Sequence, residues 1–200
     1  MPLLVVMMAL TLVTGLGTAL VVGTMTETAV TAWYRQGVET FYAADAVVEF
    51  AIRDLASRAD WDGVLSGAES SALADGPPEG SRAVGSTLVD LTQGTEAVEA
   101  LLAARAVPPE TPAQLYAWGR FEGLLPAGVA RRPAYVCVWV AELPADAEED
   151  PPVRLLSVVG RAYGPTGGQR TVVVTVARPI DPVDPDARQV VQVRSWEEPR

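Results

Sequence analysis

Catalysis near neutral pH needs a group that exchanges protons there, or a nucleophile beside a base. This chain has no histidine, which removes the imidazole base, the imidazole metal ligand and the imidazole pH switch together. Its serines therefore lack a histidine partner. The one cysteine, Cys137, can make neither an intrachain disulfide nor a cysteine-cluster zinc site. Set in the run YVCVWV, it reads as a small core residue rather than a reactive thiol. Gly164-Pro165-Thr166-Gly167-Gly168 lacks the Lys and the glycine spacing of a phosphate loop and reads as a hairpin turn.

Carboxylates remain. Glu142, Asp146, Glu148, Glu149 and Asp150 could offer oxygens to Ca²⁺. They lack the order of an EF-hand, and Pro144, Pro151 and Pro152 around them suggest a solvated loop. Asp181, Asp184 and Asp186 alternate with Pro182 and Pro185, as in a turn. Paired carboxylates hydrolyse glycosides, but nothing among the 25 acidic residues marks out a pair. The expectation is a non-enzyme with no catalytic residue, cofactor or metal, and no small-molecule substrate. The net charge of −10, with all 15 basic residues Arg, argues against nucleic acid, which needs a basic face.

What the chain does carry is a long uncharged opening. No charged residue occurs before Glu27, and Leu3 to Val22 is apolar or Thr, broken only by Gly15 and Gly17. About 20 such residues at 1.5 Å each cross a ~30 Å hydrocarbon layer. The run is too long, and lacks the basic flank, for a cleaved secretory signal. Residues 1–26 therefore read as the transmembrane half of a helix. Small residues at Gly15 and Gly17 would let a neighbouring helix approach closely. Glu27 reads as an interfacial charge marking the membrane boundary, with a polar contact to neighbouring helices as the functional alternative. The small N-terminal side suggests that the rest of the chain lies outside the cytoplasm.

The helix continues. No proline interrupts residues 27–58, and Phe41, Ala44, Val48, Ile52 and Leu55 share one face. This amphipathic half should rest on a sheet. One helix over about residues 3–58 is expected, roughly 84 Å long. Residues 59–200 form the head. Residues 61–92 read as a loop region. A short helix capped by Thr95 should run to Arg105, and Thr111-Pro112-Ala113-Gln114 resembles a capping box opening a turn or two through Trp118. Four runs suit strands of an antiparallel meander over 134–196: Ala134–Glu142, Arg154–Tyr163, Arg170–Arg178 and Arg188–Trp196. Alternation puts Tyr135, Cys137 and Trp139 on one face and Val136, Val138 and Val140 on the other. With both faces apolar, one should meet the helix and the other a partner or a covering loop. The fold class is α+β.

That layout, an apolar-then-amphipathic helix followed by an antiparallel sheet, is similar to a type IV pilin. Thr26-Glu27-Thr28, Tyr34-Arg35-Gln36, Phe41-Tyr42-Ala43-Ala44-Asp45 and Glu49 resemble the N-terminal region of PilX-type minor pilins. Tyr135–Glu142, Arg161-Ala162-Tyr163-Gly164-Pro165 with Gly168-Gln169-Arg170, and Ser195-Trp196-Glu197-Glu198 also resemble PilX-related proteins. Two departures stand out: no basic residue precedes the apolar run and no Glu precedes Glu27, so no leader-cleavage site is carried over. The resemblance implies a minor pilin in the inner membrane, single-pass, with its head outside the cytoplasm and reaching the cell surface in a pilus. Its partners would be other pilins, the pilus assembly machinery and membrane lipid. Gly15, Gly17, Glu27, Phe41, Ala44 and Val48 are the candidate packing and assembly residues. The alternatives are a minor pseudopilin of a type II secretion system and a membrane-anchored extracytoplasmic binding or adhesion module.

Overall fold

The computed structural model describes residues 2–125, 134–145, 152–180 and 191–199. The chain divides into two units, residues 1–38 and residues 39–200. A single helix, α1 (Pro2–Ser57), contributes to both. The rest of the second unit comprises α2 (Asp62–Leu65), β1 (Ser81–Val84), β2 (Thr87–Asp90), α3 (Leu91–Ala103), β3 (Gln114–Arg120), a 3-10 turn (Phe121–Leu124), β4 (Tyr135–Leu143), β5 (Val153–Tyr163), β6 (Gln169–Pro179) and β7 (Gln192–Glu197). The protein is α+β, with a long N-terminal helix and a C-terminal antiparallel sheet.

The sheet is a five-stranded meander in the order β3-β4-β5-β6-β7, and each neighbouring pair is antiparallel. Its central strands are apolar on both faces, as the alternation predicted, and both faces are covered. Val136, Val138, Val140, Leu156, Val158 and Val174 pack with Ala43, Ala44, Val47, Val48, Ala51 and Leu55 of α1. On the opposite face Tyr135, Cys137, Trp139, Val159 and Val173 pack with Leu91, Val98 and Leu102 of α3 and with Val84 and Val89 of the β1–β2 hairpin. The second face thus needs no outside partner; the chain's own middle segment covers it. Cys137 is fully buried there, and burial pushes its thiol well up, against the opposing pull of Arg161 and Arg82.

Glycines let each layer come close. A Cβ at Gly160 of β5 would run into Val48 Cγ2 and lie 3.0 Å from the Ala44 carbonyl oxygen, so the bare strand position is where α1 lies on the sheet. A Cβ at Gly94 of α3 would lie 3.1 Å from Trp139 Cζ2 and 3.2 Å from the Tyr163 hydroxyl.

The middle of the chain departs from expectation in three ways. Residues 61–92 hold a helical turn and a hairpin rather than a plain loop. The helix expected from Thr95 starts a turn earlier, because Asp90 accepts a hydrogen bond from Gln93 N at 3.0 Å and caps it. Thr95 Oγ1 donates to Leu91 O and accepts from Trp139 Nε1 at 2.9 Å instead. The turn expected after Thr111 is a strand, which makes the sheet five strands rather than four. Thr111 Oγ1 accepts from Glu142 N at 2.8 Å and Glu110 N donates to Glu142 O. The capping residue thereby extends the ladder between β3 and β4, and six paired residues outweigh a local cap. In the fourth expected run, Arg188 to Val190 lie outside the described residues, and β7 begins at Gln192.

Side chains from distant segments close the end of α1. Trp61 Nε1 donates to Leu55 O at 3.0 Å. Arg178 of β6, itself buried, donates to the carbonyls of Arg58 and Ala59, and its guanidinium lies 5.3 Å over the Trp61 ring. Trp61 thus serves one of the last carbonyls of the helix, and Arg178 those of the two residues just beyond its end. Arg58 in turn donates to the Tyr116 hydroxyl at 2.8 Å, which donates to Asp54. Burial, and then the Asp54 contact, hold the Tyr116 phenol well above its ordinary range. The outer edge of β3 is also closed, since Ser71 N and Asp75 N donate to the carbonyls of Tyr116 and Trp118 at 2.8 and 2.9 Å.

Candidate functional site

The candidate site is the part of α1 that no protein covers. Every residue from Pro2 to Arg35 is exposed. Leu3, Leu4, Met7, Met8, Leu12, Leu16 and Leu20 are among its large apolar side chains in the open. In water such a surface would be strongly unfavourable, since patches on soluble proteins rarely exceed a few hundred Å². The segment is long and apolar enough to cross a membrane, and it is a candidate membrane anchor.

Its polar groups suit that environment. Of the seven threonines between Pro2 and Arg35, Thr11, Thr14, Thr18, Thr24, Thr26 and Thr28 each donate their hydroxyl to a backbone carbonyl three or four residues back. Thr14 reaches Leu10 O at 2.8 Å, Thr18 reaches Thr14 O at 2.9 Å, and Thr26 reaches Val22 O at 2.9 Å. Thr11, Thr24 and Thr28 do the same. In lipid an unsatisfied hydroxyl or amide costs several kcal/mol (roughly 2–7 by reference state). Here the helix satisfies these six hydroxyls itself.

Gly15, Gly17 and Gly23 each face open space: nothing lies within 4 Å of an added Cβ. Gly15 and Gly17 are two positions apart, about 200° around the helix, so they do not share a face. The residues that continue the ridge from Gly15 at every fourth position are Ala19 and Gly23. Glu27 is exposed four positions further along the same ridge. The four-residue recurrence in the sequence marks Gly23 as the next small residue on that ridge.

The other three candidate residues belong to the head. Ala44 and Val48 are fully buried against the sheet, with Val48 beside Gly160. Phe41 is half-buried and meets Trp196 of β7 edge-on, with ring centroids 5.7 Å apart. The structure brings these three into one core and leaves Gly15, Gly17 and Glu27 uncovered.

In the head a groove of about 260 Å³ lies between α3 and the segment before β3, lined by Leu102, Ala103, Pro108, Pro109, Pro112 and Ala113 with Glu99, Glu110 and Thr111. Among the described residues no group of three His, Cys, Asp or Glu is placed to hold a metal ion. Asp146 to Asp150 and Asp181 to Asp186, the carboxylates weighed for calcium or as turns, lie outside the described residues.

No protein-family model, no curated protein and no solved structure matches this chain.

Proposed function

We propose that the chain is a minor-pilin-like subunit of type IV pilus assembly. It is anchored in the inner membrane by the first half of α1, single-pass, with its head outside the cytoplasm, and acts by packing rather than by catalysis. The observation that carries the reading is the exposure pattern of α1. Its residues 2–35 are exposed and almost uncharged, whereas Thr40, Ala43, Ala44, Val47, Val48, Ala51 and Leu55 are buried under an antiparallel sheet. A pilin needs both properties in one helix. The apolar half is solvated by lipid before assembly and by sister helices afterwards, and since both environments are similarly apolar the exchange is close to neutral. Close contact at small residues then tips it. The buried half holds the head to the helix during that exchange.

The test is removal of residues 1–26. The shortened protein should be soluble and folded, should leave the membrane fraction, and should no longer support pili. Pili of normal number would overturn the assembly reading. The full chain should co-purify with a major pilin and the membrane assembly platform; co-purification with a secretion pseudopilus instead would move the protein to the type II system.

A further inference from the structure

The exposed apolar surface of α1 does not stop at Glu27. Thr28 donates its hydroxyl to Thr24 O at 2.8 Å, as the earlier threonines do, and Ala29, Val30, Thr31 and Ala32 follow, all exposed. Then come Trp33 and Tyr34, 81% and 76% exposed, and Arg35. The first partly covered positions begin at Gln36. Between Pro2 and Tyr34 the only charge is Glu27.

Trp and Tyr carry an apolar ring with a polar tip, and they settle where hydrocarbon gives way to headgroups. An Arg beside them reaches the headgroup phosphates. Length fits as well. Pro2 to Tyr34 spans about 48 Å at 1.5 Å per residue, and a tilt of about 20° brings this to about 45 Å, close to a bilayer with its headgroups. A boundary at Glu27 would instead leave Val30, Trp33 and Tyr34 in water with nothing over them.

We propose that Trp33, Tyr34 and Arg35 sit at the membrane–water boundary on the head side, and that Glu27 lies about 10 Å below it, within the lipid. The proposal rests on the membrane anchor proposed above. It makes Glu27 a position for an intramembrane contact with a neighbouring helix rather than a surface charge, since charges at such depth are kept where they find partners.

The experiment uses the full chain in vesicles of phosphatidylcholine and phosphatidylglycerol, with single reporters at Thr18→Cys, Ala29→Cys, Ala32→Cys and, as the water-side reference, Glu49→Cys. Cys137 is buried and contributes little background. Labelling by a membrane-impermeant maleimide should be about tenfold or more slower at residues 18 and 29 than at residue 49, because the thiolate it needs does not form out of water, with residue 32, next to the boundary, in between. If residue 18 is protected while residues 29 and 32 react like residue 49, the boundary is at Glu27; the proposal falls and the anchor stands. If residue 18 also reacts like residue 49, the anchor itself falls and takes the proposal with it.

Discussion

Two stretches of α1 are built from similar apolar residues and meet different surroundings. Residues 3–26 carry Leu, Val, Met, Ala, Thr and Gly on every side and bury nothing. Residues 40–55 carry Ala, Val, Ile and Leu on one side with Glu49 and Arg53 exposed on the other, and bury seven residues. The difference lies in where charge is placed. A helix with a polar side can turn that side to water and its apolar stripe to a sheet. A helix without one has no side that water favours and requires an apolar solvent all round. The first stretch is therefore a candidate membrane anchor and the second belongs to the head's own core, and substitutions should separate them.

The largest separation should come from leucines. Leu55→Ala removes a fully buried side chain at the junction of α1 and the sheet and should cost about 2–5 kcal/mol, read as a lowered urea midpoint for the head in detergent micelles. Next comes Gly160→Ala. The added methyl collides with Val48 and crowds the Ala44 carbonyl, so α1 must lift from β5, and about 1–3 kcal/mol should be lost. An unchanged midpoint would mean that the second half of α1 is not held where the sheet closes on it.

These two positions also mark what was legible beforehand. The stripe of Ala44, Val48 and Leu55 and the central strands repeat at 3.6 and 2 residues, periods that are local and therefore visible in one sequence. Gly160 carried a weaker sign, a lone glycine in a strand, which points to a close backbone approach without saying to what. Arg178 carried none, because its carbonyl partners at Arg58 and Ala59 are 120 and 119 residues away. The strand Gln114–Arg120 reads as helical in sequence because the capping signal at Thr111 is local while the ladder that overrides it is not. In the candidate site Glu27 and the small residues are legible, and the opposed faces of Gly15 and Gly17 follow from their spacing once a helix is expected.

Alkaline pH probes the head alone. Burial pushes the Tyr135 phenol up to about 12 from its ordinary 10. The folded head therefore keeps this proton where the unfolded chain releases it. The stabilisation is complete below pH 10 and is lost as pH rises toward 12, at up to about 1.4 kcal/mol per pH unit. Tyr116 and Tyr163, also raised by burial, add to the same fall. Urea titrations at pH 8 and pH 11 should show it, and Tyr135→Phe should flatten the slope by one proton's share. A slope untouched by that substitution would mean that the phenol is not buried between the sheet and the segment that covers it.

The smallest expected effect sharpens the contrast most. Gly15→Ala makes the same chemical change as Gly160→Ala, but its methyl enters open space. In a helix Ala is favoured over Gly by about 1 kcal/mol, and that gain stays local to the first stretch. The unfolding midpoint of the head should therefore move by less than about 0.5 kcal/mol, as for exposed positions generally. The opposite signs follow from surroundings alone, since the residue types are identical. A Gly15→Ala chain whose head unfolds as early as the Gly160→Ala chain would show that the first stretch folds onto the head, and a lipid-facing anchor would then be untenable.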